Sequence, residues 1–271
     1  MNIPPLHFSE EEMLERMKEL YQLSGQNPEN MSYWLPKIQA STSKKESQLQ
    51  IPKTKIIPLD FETWKWLRSG NYTEEKISLF NDKLVKKLDG FLENEILFMK
   101  TGVFSDKFVF SHTTIKDRTK IGVQFLDMYY NSMLLGADQT SEAIFRQMIE
   151  DKEGRKQIYE GMPLHTEFRI FYDFDERNVV GISNYWHPEL MQKYLSGKDL
   201  IYYVKERELL IADFDKYKEK IMEEVHLFMK GCSELTGKWS VDVMKNGNDL
   251  WLIDMARMER SALIEYMEEA E

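Results

Sequence analysis

Apolar residues recur along this chain with two periods, and the switches between them outline the elements. Ser9 with Glu12 forms a capping box that predicts a helix to about Leu23. Residues 24–32 read as a Gly/Asn/Pro/Ser loop, Tyr33–Pro36 as an aromatic packing anchor, and 40–55 as a polar, mobile stretch. Lys55–Leu59 reads as a strand. Asp60 caps a helix through Arg68, and Thr73 caps another whose Ile77, Phe80, Leu84 and Leu88 share one face. Glu95–Lys100 has period two and ends in lysine. Thr101–Lys107 is a tight connection to a return strand at Phe108–Ser111, followed by a helix over 119–135. Ala143–Ile149 reads as a strand and Asp151–Gly161 as a polar insertion. Thr166–Phe174 and Val179–Asn184 make a hairpin, with helices at 187–196, 213–235 and from about Ser261.

The most informative stretch is Lys238–Met255, a hairpin around Asn246-Gly247-Asn248. A two-residue Asn-Gly loop pairs Lys245 with Asn248 and places Asp254 on the face of Trp239, Val241 and Val243. A three-residue loop pairs Lys245 with Asp249 and Asp242 with Leu252. The second register puts Trp239, Val241, Val243, Trp251, Ile253 and Met255 on one buried face and leaves Asp242 and Asp254 together on the other. Each buried apolar side chain is worth about 1.5–3 kcal/mol, which favours this register. Hairpins outnumber helix crossovers, so the expected class is α+β with antiparallel sheets.

Length allows one large domain or two lobes sharing a cleft. The formal charge of −10 among 271 residues argues against a general nucleic-acid binder. One cysteine, Cys232, excludes an internal disulfide and a cysteine-cluster metal site, and without a neighbouring base or cation it reads as a core thiol. There is no apolar run near 18 residues and no leader pattern, so a soluble cytoplasmic protein without a membrane partner is the expectation.

Asp242 and Asp254 have no lysine or arginine beside them on the hairpin. Two close carboxylates repel unless a cation lies between them, and oxygen-only ligands favour magnesium. The plain alternative is a solvated face. Lys100 can neutralise phosphate or simply end a strand. Lys107 is a weaker case of the same kind, in a loop with one glycine, Gly102. Arg169 shares a face with Glu167 and can fork onto phosphate or pair with that glutamate. Arg257 reads as a linker salt bridge and His187 as a cap. No Walker or dinucleotide glycine pattern occurs.

The order of strand lysine, connecting strand, strand arginine and closing acids resembles the ATP-grasp superfamily. The nearest likeness is to the eukaryotic cell-division-cycle ATP-grasp family, which assists assembly of translation initiation factor two. It rests on Trp34-Leu35-Pro36, Phe98-Met99-Lys100, Ser105-Asp106, Glu167-Phe168-Arg169, Gly181-Ile182-Ser183 and Leu252-Ile253-Asp254. Small bacterial and phage ATP-grasp proteins look similar.

The resemblance implies two antiparallel lobes enclosing ATP and magnesium, with an extension at 1–53 and lobes at 54–145 and 146–271. It implies Lys100, Lys107 and Arg169 at phosphates and Asp242 and Asp254 at the metal. Arg146, Gln147, Met148 and Ile149 then form a hinge against adenine, and Glu150 a ribose acid. The implied activity is an ADP-forming carboxylate–amine ligase using Lys100 and Arg169, acting on a small molecule or peptide. The alternative is an ATP-binding assembly chaperone with a protein client. Ala256 stands where many such ligases carry asparagine, the 101–107 loop is glycine-poor, and the 151–161 insertion has no counterpart. Lys76, Lys83, Lys86 and Lys87 compete for the role of an earlier nucleotide lysine.

Overall fold

The computed structural model describes residues 9–137 and 140–270. In chain order its elements are α1 (Glu10–Gln26), α2 (Met31–Gln39), β1 (Leu49–Gln50), β2 (Thr54–Pro58), α3 (Phe61–Ser69), α4 (Glu74–Val85) and β3 (Leu97–Thr101). Then come α5 (Phe110–Thr113), β4 (Thr114–Ile115), α6 (Ile121–Leu134), β5 (Glu142–Gln147), β6 (Gln157–Ile158), β7 (Met162–Pro163), β8 (Thr166–Asp173) and β9 (Asn178–Asn184). The chain closes with α7 (Pro188–Tyr194), α8 (Gly197–Met229), β10 (Lys238–Asn246), β11 (Asp249–Arg257) and β12 (Glu268–Glu269).

The strands form two main sheets, β2-β5-β3-β4 and β1-β11-β10-β8-β9-β12, plus the small β6–β7 hairpin. All pairings are antiparallel except β1 with β11. This is the expected α+β architecture. The smaller sheet packs Ile57, Met99 and Phe145 against Leu67, Phe80, Leu84 and Phe125 from α3, α4 and α6. The larger sheet packs Phe168, Ile170, Val241 and Val243 against Phe214, Ile221 and Val225 of α8 and Trp34 and Ile38 of α2. Its other face is left toward the smaller sheet, and there the polar positions of β8, β10 and β11 gather.

Caps act where the sequence places them. Ser9 and Glu12 exchange both capping-box bonds, and the helix runs three residues past Leu23. Asp60 accepts from the Thr63 amide at 2.8 Å, and Thr73 accepts from Lys76.

Several elements differ from expectation. The 24–32 loop is shorter than expected, since α1 runs to Gln26 and α2 starts at Met31; Tyr33–Pro36 lies inside α2, where Trp34 is fully buried as a packing anchor. The 40–55 stretch is fixed, not mobile. Ser41 and Ser43 bond the Phe228 carbonyl, Glu224 receives Ser47 and the Gln48 amide, and Leu49 pairs with Leu250. Such long-range bonds from short polar side chains leave no local period. Phe108–Ser111 is helical, and the strand that returns to β3 is Thr114–Ile115. α8 begins at Gly197, sixteen residues before the expected start, and the segment after Ser261 is a short 3-10 turn followed by β12.

Candidate functional site

The β10–β11 hairpin takes neither register weighed from the sequence. Asn246 pairs with Asp249 around Gly247-Asn248, with Gly247 at φ 64°, and Val243 pairs with Leu252. A bulge then inserts Ile253, so Asp242 sits opposite Asp254 and Val241 opposite Met255. Leu250, Leu252 and Met255 therefore enter the core with Val241 and Val243, while Ile253 lines the cleft. The expected grouping of Trp251 and Ile253 with the core residues is incorrect. The facing acids are present all the same, because one extra residue re-aims the strand beyond it.

Each acid meets a cation from a neighbouring strand. Asp242 pairs across the sheet with Arg169 on β8, whose Nε and Nη2 each donate to it at 2.7 Å. Arg169 also donates to Ser261 Oγ at 3.0 Å. Burial opposes the guanidinium's charge, but Asp242 outweighs it and holds the arginine above its ordinary pKa. Lys100, 2% exposed at the end of β3, donates to Asp254 at 2.6 Å. This bond joins the two sheets. The cation that the paired acids require is thus the protein's own, from strands that the hairpin sequence does not reveal.

Arg146 on β5 has a different task from its neighbours. Its Nη1 donates to the Ile253 carbonyl, its Nη2 to the Leu252 carbonyl at 3.4 Å, and its Nε to Thr54 Oγ1 at 3.0 Å. It clamps the bulge that presents Asp254. Burial pulls its pKa down to about 10, with Asp254 opposing.

All ten sequence-predicted site residues line one cavity of about 400 Å³: Lys100, Lys107, Arg146, Gln147, Met148, Ile149, Glu150, Arg169, Asp242 and Asp254. One end is apolar, walled by Ile96, Phe98, Met148, Ile149, Met244 and Ile253; the other holds the two ion pairs. Past β5 the Met148 amide still bonds the Ile96 carbonyl, and Glu150 is exposed with its carbonyl held by Asn246. Among the described residues, no three His, Cys, Asp or Glu side chains gather as a metal site. Two hard carboxylates suit magnesium only if further oxygens arrive with a ligand.

Glu167, His165, Tyr185 and Met244 also line the cavity and were missed as ligand-facing residues. Glu167 had a detectable signal, its period-two relation to Arg169. His165 is buried, which pushes its imidazole pKa down, and its Nδ1 is 3.8 Å from Asp151. Lys107 lies 3.9 Å over the Tyr185 ring, on which Arg169 also sits. Burial lowers the Lys107 pKa while Glu167, Asp242 and Asp254 pull it back; burial raises that of Glu167.

The remaining candidates are structural. Asp106 bonds His112 and Asn131 at φ 45°, fixing the loop that carries Lys107. At Gly102 a Cβ would come within 2.6 Å of Glu142 and Thr140, so that glycine serves close packing. Arg257 donates to the Thr236 carbonyl and lies over Trp239, touching neither acid. His187 makes no cap bond and stacks on Tyr266. Burial raises the Cys232 thiol pKa. None of Lys76, Lys83, Lys86 and Lys87 lines the cavity, and Lys83 is paired with Asp60. The 151–161 segment is tied down by Arg155 to Asp213 and by Glu153 to Lys245, and its Ile158 is fully buried.

No family model and no curated protein matches the sequence. Among solved structures, the chain is similar to Cdc123 from Schizosaccharomyces pombe, with TM-score 0.51 and 14% identity over 91% of this chain and 94% of that one. It is likewise similar to a C-terminally truncated form of that protein, with TM-score 0.50 and 14% identity over 93% of each chain. A D-alanine–D-alanine ligase from Bacillus anthracis complexed with ATP matches at TM-score 0.39 and 11% identity, over 88% of this chain and 58% of that one. The fold is the one seen in Cdc123, α+β with antiparallel sheets. Among the described residues, no helix is long and apolar enough to cross a membrane.

Proposed function

We propose that this chain binds magnesium ATP in the cleft between its two sheets and uses it to activate a carboxylate for coupling to an amine, releasing ADP. The observation that carries this reading is the pairing of Lys100 with Asp254 and Arg169 with Asp242 beside an apolar pocket. A triphosphate offers anionic oxygen to both cations, and its metal offers positive charge to both acids. Partners are exchanged on binding, so no charge is left bare in a buried site. The base takes the apolar end, between Met148–Glu150 and the side chains of Ile96, Phe98, Met244 and Ile253.

Asp242 and Asp254 are the residues that hold magnesium, which supplies charge neutralisation at the transferred phosphoryl. Arg169 and Lys100 hold phosphate oxygens in place, and Arg146 keeps the bulge that aims Asp254. Catalysis by such a site is mainly positioning and electrostatic stabilisation. With carboxylate substrates, ATP, magnesium and hydroxylamine, the purified chain is expected to form ADP and a hydroxamate, dependent on Asp254 and Arg169.

One observation favours a second reading, an ATP-binding assembly chaperone for a protein client. Ala256 offers no side-chain oxygen two residues after Asp254, which limits the ligands for a second metal. ATP-dependent retention of a protein partner, with no ADP formed across a broad carboxylate pool, would select it.

A further inference from the structure

Lys107, just after the β3 loop, and Tyr185, just after β9, meet across the cavity that both line. Lys107 makes no hydrogen bond or ion pair among the described residues. Its amine lies 3.9 Å from the centre of the Tyr185 ring and 5.4 Å from that of Trp186. Burial works against its charge, while Glu167, Asp242 and Asp254 favour that charge without bonding it. A ring face favours a cation without neutralising it.

Both partners are held by their surroundings. The Lys107 backbone follows Asp106, whose carboxylate bonds His112 at 2.8 Å and Asn131 at 3.0 Å. The Tyr185 amide donates to the Glu167 carbonyl at 3.1 Å, and its ring meets Trp186 edge-on at 5.0 Å. Trp186 is buried and donates to the His165 carbonyl at 2.8 Å. Arg169 also lies over the Tyr185 ring, at 4.9 Å, but three hydrogen bonds to Asp242 and Ser261 fix it without the ring. Lys107 has no such anchor, so the ring decides where its amine sits.

These contacts also decide which cation is open to a ligand. Lys100 and Arg169 must each leave an acid to take up an anion. Lys107 has only to leave a ring, a looser hold than a charge-assisted hydrogen bond. We infer that Tyr185 is a positioning residue whose ring holds the Lys107 amine over the cleft, charged and unpaired, for an anionic group of the ligand. This inference rests on the magnesium ATP reading above and deepens it, because it sets one exchangeable cation apart from the two paired ones.

The test is a double-mutant cycle on the full chain, read by calorimetry with magnesium ATP. Tyr185→Leu is expected to weaken magnesium ATP by about 3–30-fold, the range of a cation–ring contact, and to leave adenosine unchanged. Tyr185→Phe keeps the ring and is expected to bind like the wild type. In a Lys107→Met background, the Tyr185→Leu change is expected to cost about 2-fold or less, since no amine is left to place. Unchanged affinity in Tyr185→Leu overturns the inference, as does a loss of the same size in the Lys107→Met background. A loss in Tyr185→Phe equal to that in Tyr185→Leu, or equal weakening of ATP and adenosine, also overturns it. A wild type that binds no magnesium ATP removes the nucleotide reading itself, a distinct failure.

Discussion

The two carboxylate groups of the cleft sit about two strand residues apart and are treated in opposite ways. At the charged end, Asp242 and Asp254 are each closed onto a cation within 2.7 Å. At Glu167 the opposite charge of Lys107 is felt but makes no ion pair with it, and Lys107 stacks on Tyr185 instead. The first arrangement stores charge in matched pairs that a charged ligand and its metal can exchange. The second leaves a mostly buried carboxylate opening onto the cavity, with no side-chain donor bonded to it among the described residues. Burial alone therefore does not mark a ligand-facing acid; the partner it lacks does.

The largest effect expected from breaking this contrast lies at the matched pairs. Arg169→Met and Lys100→Met are each expected to weaken magnesium ATP by about 100-fold while changing adenosine affinity little, because the lost bonds are charge-assisted. Isothermal titration with both ligands checks this. Equal weakening of ATP and adenosine would place these cations outside the phosphate pocket.

Next comes the clamp on the bulge. Arg146→Met leaves the Leu252 and Ile253 carbonyls without their donor, and a buried group stripped of its partner costs about 1–3 kcal/mol. Thermal melts are expected to show that loss in the free protein. Mn2+ electron paramagnetic resonance with ATP present is expected to show weaker metal binding as Asp254 loses its aim. A melt like that of the wild type with undiminished manganese binding would make the clamp incidental.

The smallest effect is at Glu167 in the free protein. Burial raises its pKa, so the folded state holds that proton more tightly than the unfolded chain does. Stability is then lost as pH rises past the ordinary carboxylate range. Glu167→Gln cannot ionise and escapes that loss. Its melting temperature relative to wild type is expected to climb between pH 4 and neutrality, by about 2–4 °C for each kcal/mol relieved. A difference that stays flat with pH contradicts a buried, unpartnered carboxylate at this position.

Much of this site is legible in the sequence because its chemistry lies on strands of clear period. Arg169 and Asp242 stand at polar positions in alternating runs, Lys100 and Asp254 are the polar residues that follow continuous apolar runs, and the structure brings all four to one cavity. The bulge is not legible, since one inserted residue between apolar neighbours leaves the local pattern plausible in a different register. The ion pairs are not legible either, because they join β3 to β11 and β8 to β10 across long sequence separations. Phe108–Ser111 shows the converse error. Its short run of apolar, β-favouring residues suits a strand, yet Phe110 starts a short helix and its amide bonds the Tyr159 carbonyl. The first half of α8 fails for another reason: Tyr203 and Leu210 are its only buried residues before Phe214, and exposed Ile201, Val204 and Leu209 blur the helical face.

The most direct test of the account is whether metal and nucleotide bind only together. Two acids already matched by cations, with no three acids placed to share a metal among the described residues, leave magnesium alone without a site. Calorimetry of the wild type is expected to show no magnesium binding without nucleotide, weak ATP binding in EDTA, and tight binding when both are present. Asp242→Asn and Asp254→Asn are each expected to reduce the last value to that seen in EDTA. Wild-type-like affinity for magnesium ATP in both variants would contradict the assignment of these two acids to the metal.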